Sequence, residues 1–133
     1  MRYIGLVLLG ILIGALGTAA ALNSLRASTA FPRGVMAVSG YHMGQLRDAV
    51  TAEPCRSDAA VAHMRALRVL AGDIEPAFLP DGMQDATFSR YAREHEKLLD
   101  AALAGAAGAE CGALKIELGN INDGCKACHR DYK

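Results

Sequence analysis

The chain has 133 residues, with 14 basic against 14 acidic side chains, 52% hydrophobic residues and no Trp. That length bounds it to one folded domain, the balanced charge leaves no basic footprint for nucleic acid, and the apolar content excludes a disordered chain. Its four cysteines suit an exported protein, where they serve as disulfides or cofactor anchors.

From Tyr3 to Leu25 the sequence carries no charge, and Arg2 and Arg26 flank the run. A secretory signal has an apolar core of about 7–15 residues, whereas a membrane span needs about 20. The stretch Ile4 to Leu22 has the longer dimension, so residues 1–25 read as a retained N-terminal membrane anchor. Ala19, Ala20 and Ala21 supply an Ala-x-Ala cleavage pattern, which keeps a cleaved leader and a soluble product as the alternative. Gly10 and Gly14 form a GxxxG pair of the kind that packs membrane helices together, read here as chance.

Residues 26–133 are expected to form the folded domain, and nothing in them reads as strand. Four amphipathic helices are predicted, separated by Pro, Gly and Asx punctuation. The first starts at Pro32, a residue suited to an opening turn, and runs to about Thr51 with Met36, Met43, Leu46 and Val50 on one stripe. The second starts with Ser57 or Asp58 as N-cap and stops near Gly72, turning Val61, Met64, Leu67 and Ala71 inward. A loop rich in Pro and Gly follows, from Asp73 to Asp85. The third runs from about Ala86 to Ala107 and places Phe88, Tyr91, His95, Leu98 and Ala102 within reach of one face. In the fourth, Leu114, Leu118, Ile121, Cys125, Cys128 and Tyr132 recur at intervals of four and three, the seam of a helix packed lengthwise against others. The fold class is therefore all-α, an antiparallel four-helix bundle preceded by an apolar N-terminal helix.

Two seam positions belong to Cys125-Lys126-Ala127-Cys128-His129. Cys-x-x-Cys-His reads as the attachment site of one covalent haem c. Thiols three apart on a helical turn face the same way and can each add to one haem vinyl group, and the adjacent His129 can reach the iron as proximal ligand. A zinc site needs further Cys or His ligands at motif spacing, and a thioredoxin-like site needs flanking strands.

With that motif at its C-terminal end (CKACHRDYK), an opening helix FPRGVMAVSGYHMGQL and a second-helix exit VLAGDIEPAFLPDG, the chain resembles the class II cytochromes c, the family of cytochrome c′ and its low-spin relatives. The resemblance covers nearly all of residues 30–133. It implies a left-handed four-helix bundle with covalent haem near one end, His129 on one face of the iron and a first-helix residue over the other. The matching first-helix position is Met36, a candidate distal ligand whose thioether would give the His/Met pattern of electron-transfer haems. His42 is the alternative ligand on the same helix, while His63 and His95 are expected to be structural or exposed. The sequence departs from the family in lacking a Trp near the start of the third helix and in having Pro32 where an Arg often stands, with Arg33 next to it.

Cys55 and Cys111 precede the second and fourth helices. In an antiparallel bundle those connections share one end, so a disulfide between the two is expected, at the end away from the haem. The resemblance implies maturation outside the cytoplasmic membrane, hence a periplasmic domain tethered to the bacterial inner membrane, with periplasmic or membrane redox proteins as partners; it also allows a homodimer. The function expected is one-electron transfer by a monohaem c-type cytochrome, not enzymatic catalysis. The alternatives are a five-coordinate cytochrome c′ that binds NO or other small gases, with Met36 only packing over the iron, and a structural or zinc-buffering bundle.

Overall fold

The computed structural model describes residues 2–80 and 83–132. Four helices follow in order: α1 (Arg2–Thr51), α2 (Ser57–Phe78), α3 (Ala86–Ala106) and α4 (Cys111–Asp131). No strand occurs among the described residues. The chain divides into two compact units, residues 1–33 and residues 34–133. The division falls just past Pro32, which lies inside α1 and lacks the amide hydrogen that a helix interior uses. Pro32 was expected to open a helix. It does not: α1 is continuous through Pro32, and the residues before it include Ala19, Ala20, Ala21, Ala27 and Ala30, the residue type that favours helix most.

In the first unit, Tyr3–Ser24 is a helix long and apolar enough to cross a membrane by length and composition. Ile4, Val7, Leu8, Leu9, Ile11, Leu12 and Leu16 are all exposed. The flanking charges expected at Arg2 and Arg26 lie outside the described side chains.

The second unit is a helical bundle. Phe78, at the end of α2, meets Phe88, at the start of α3, with ring centroids 5.5 Å apart. Farther along the same pair of helices, Arg68 reaches Asp100 at 2.6 Å and Glu96 at 3.4 Å, so α2 and α3 run in opposite directions. The α3/α4 pair runs likewise, because Tyr91 bonds Asp131 at 2.6 Å and Gly105 lies beside Glu117. The core draws on all four helices: Leu46, Ala49 and Val50 of α1, Ala60, Met64 and Leu67 of α2, Leu99 and Ala102 of α3, and Leu114 and Ile121 of α4. These are the apolar stripes the helical spacing marks out, and burying them is what holds helices of this length together.

Two helix boundaries differ from expectation. α2 begins with Arg56 as N-cap and makes no side-chain cap bond; the Arg56 amide instead donates to the Ala49 carbonyl at 3.0 Å. It also continues past Gly72 to Phe78 with Pro76 inside. Packing explains the extension, since Ile74 lies against the core and Ala77 is buried, and tertiary contacts outweigh a weak local propensity. At α3 the start is as expected, with the Asp85 carboxylate accepting from the Thr87 and Phe88 amides, the ordinary chemistry of an N-cap.

Candidate functional site

At the end of the bundle where α4 finishes, the helices enclose a cavity of about 590 Å³. This lies within the range of small-molecule and cofactor sites. α1 contributes Met36, Ser39, Gly40, Met43 and Arg47 to its wall, and α2 contributes Ile74 and Phe78. From α3 come Phe88, Tyr91, Ala92 and His95, and from α4 Asn122, Gly124, Cys125, Cys128 and His129, with Tyr132 following. The structure therefore brings Cys125, Cys128, His129 and Met36 to one cavity. The first three share a wall because they occupy adjacent positions on one helical turn.

The two thiols are unpaired and partly buried. Burial is the first cause that raises both above the ordinary cysteine value; Cys128 adds to the effect at Cys125, and Asp131 at Cys128. Both thiols are therefore held protonated at neutral pH. His129 and Arg130 occupy the last turn of α4, where cationic or hydrogen-bonding side chains suit the carbonyl end of the helix dipole. His129 is exposed at the cavity edge and Met36 is half-buried.

An aromatic cluster closes this end. The Phe88 and Tyr132 rings meet edge to face with centroids 5.1 Å apart. The Tyr132 hydroxyl donates to Asp85 at 2.9 Å, which fastens the residue after α4 to the start of α3.

His95, half-buried, also lines the cavity. Its Nδ1 is the one buried side-chain nitrogen or oxygen without a hydrogen-bond partner among the described residues. Burial lowers its affinity for a proton, Glu96 opposes that shift and His129 adds to it. An orphaned buried polar atom calls for an explanation, and a group bound in the cavity is one that would supply a partner. Arg47 is the cation of the wall, and Arg33 is not part of the lining. The spacing that could have found both was present: 36, 40, 43 and 47 form one helical stripe, and 88, 91, 92 and 95 another.

His42 takes no part in the cavity wall. Its Nδ1 meets Nδ1 of His63 at 2.9 Å. Cys55 and Cys111 are joined as a disulfide with Cα atoms 6.4 Å apart, at the other end of α4 from the free thiols.

The donor set fits a covalently held haem: two free thiols and an imidazole on one turn, a thioether from another helix, apolar and aromatic walls, and a lone guanidinium suited to a carboxylate. Among the described residues no group of three His, Cys, Asp or Glu side chains is placed to hold a metal ion by itself. Comparison of the chain with known protein families, curated proteins and solved structures finds no match.

Proposed function

We propose that the protein is a monohaem c-type cytochrome of the class II kind, carrying single electrons in the bacterial periplasm while its N-terminal helix tethers it to the inner membrane. The observation that carries this reading is the meeting of Cys125, Cys128, His129 and Met36 around one cavity. Haem bound there supplies an iron that exchanges one electron between its ferric and ferrous states.

The chain's own residues have distinct tasks. The thiols of Cys125 and Cys128 would hold the group covalently, each by a thioether bond formed when its S–H adds across a vinyl double bond. His129 and Met36 offer the two ligands, and a thioether there favours the reduced state and a higher potential. Ile74, Phe78, Phe88 and Ala92 exclude water from the apolar part of the cavity, and Arg47 is placed to pair with a propionate. With Met36 as a ligand the role would be electron transfer; with Met36 only packing beside the group, gas binding would be the alternative.

Two measurements test the reading. Haem staining after denaturing electrophoresis must follow the protein band and vanish in Cys125→Ala/Cys128→Ala; an unstained wild-type band refutes haem attachment. The ferric spectrum must contain a thioether-to-iron charge-transfer band that Met36→Leu removes. A high-spin spectrum indifferent to that substitution assigns the gas-binding role instead.

A further inference from the structure

His42 of α1 and His63 of α2 form a half-buried pair whose Nδ1 atoms are 2.9 Å apart. Their ring centroids are 5.2 Å apart, about the N–N distance plus both ring radii, so the two nitrogens face each other head-on. Contact at this length and alignment is an N–H···N hydrogen bond. One ring donates its Nδ1–H and the other presents a lone pair. The same alignment argues against chelation, because nitrogens sharing a metal aim their lone pairs at a common point beside the line that joins them. No third His, Cys, Asp or Glu completes a metal site among the described residues.

Such a pair responds to protons in two stages. A first proton taken by the donor ring on its outer nitrogen leaves the bond intact and makes it charge-assisted. A second has to occupy the acceptor's Nδ1, which sets two N–H groups and two positive charges face to face. We propose that His42 and His63 form an acid-released latch, which holds α1 to α2 at neutral pH and frees the α1 wall of the cavity when both rings are protonated.

The surroundings favour release over accommodation of the second charge. The Tyr41 ring packs roughly perpendicular to both imidazoles, with centroids 5.2 Å from His42 and 6.5 Å from His63, and shields the pair from water on that side. From the start of α2, Arg56 adds a positive charge. Burial, then His42, then Arg56 hold His63 below the ordinary histidine value, so the latch opens on the acid side of the usual histidine range. The latch sits on the α1 stretch that supplies Met36, Ser39, Gly40 and Met43 to the cavity. The inference is independent of what the cavity binds.

Amide hydrogen exchange on the full-length protein in detergent tests it, at about pH 7.5 and about pH 5, with rates corrected for intrinsic exchange. Protection across residues 35–50 is expected to fall about tenfold or more at the lower pH, while α3 keeps its protection. His63→Gln offers His42 a neutral oxygen acceptor and is expected to hold α1 at both pH values, and His42→Gln is expected to act likewise. Undiminished wild-type protection at the lower pH, or an equal fall in a folded Gln variant, overturns the latch. Imidazole nitrogen NMR of the wild type gives a readout that needs no variant: one hydrogen-bonded Nδ1–H is expected at neutral pH, and two unbonded Nδ1 signals overturn the proposal.

Discussion

Tyr132 donates its hydroxyl hydrogen to Asp85 Oδ2 at 2.9 Å, while Oδ1 of the same carboxylate accepts the Thr87 and Phe88 amides, each at 2.9 Å. One side chain thus starts α3 and secures the residue that follows α4, three residues beyond His129. Asp85→Ala removes both functions, so a lower thermal midpoint is expected. Tyr132→Phe loses only the tether and is expected to fall less, and Asp85→Asn, which still caps, least. Thermal melts of the three variants check this order.

The same carboxylate has a pH signature. The Phe88 amide, the Tyr132 hydroxyl and the Thr87 amide keep Asp85 below the usual carboxylate range, against the effect of burial. A lowered folded value means that the stabilisation is complete above the unfolded carboxylate value and is lost as pH falls through the folded one. The difference in thermal midpoint between wild type and Asp85→Asn is therefore expected to stay level down to about pH 5 and to shrink below it. A series of melts across that range measures it.

Glycines on α4 separate helix propensity from packing. Gly119 is exposed and a Cβ there meets nothing, so Gly119→Ala is expected to stabilise by about 0.8–1.0 kcal/mol. At Gly124 an added Cβ lies 3.2 Å from His95 Nδ1 and 3.7 Å from Leu98. Gly124→Ala is therefore expected to gain less than Gly119→Ala, and Gly124→Val to destabilise by displacing His95 from the cavity wall. Urea unfolding of the three variants checks both.

How far the sequence foretold this arrangement varies by element. The inward stripes at Leu46, Val50, Met64, Leu67, Leu114 and Ile121 follow directly from helical spacing, because a helix can bury only one face in a bundle. The placing of Cys125, Cys128 and His129 follows from a local motif on one turn. The end of α2 did not follow, since Gly72 and Pro76 are local breakers overruled by packing of Ile74 and Ala77. His95 was equally hidden: its stripe was plain, but which side of that stripe faces a cavity depends on where α4 presents Gly124, a contact between residues far apart in the chain. The partnership of His42 with His63 had no sequence mark at all, because it arises where two helices cross.

The disulfide offers a separate test of stability. Cys55 and Cys111 are 56 residues apart in sequence, and closing a loop of that size stabilises by about 4 kcal/mol in the chain-entropy model. The Cys55→Ser/Cys111→Ser variant is expected to lose an amount of that order in denaturant unfolding. Wild-type protein treated with an alkylating reagent before reduction is expected to keep both residues unlabelled by mass spectrometry.

Cys111 opens α4 and Cys125 lies near its far end, about 21 Å away at about 1.5 Å per residue. Thiol–disulfide exchange requires sulfur-to-sulfur contact, and bridged cysteines have Cα atoms within about 7 Å. The rigid length of α4 therefore works as a spacer between the bridge and the two free thiols. Once the helix has formed, neither free thiol can attack the bridge without unfolding. Scrambling among the four cysteines is thus confined to the unfolded chain, and the order of events in maturation matters: helix formation before oxidation leaves a single cross-link within reach at the Cys55 end, and leaves Cys125 and Cys128 to react only with each other or with what the cavity admits.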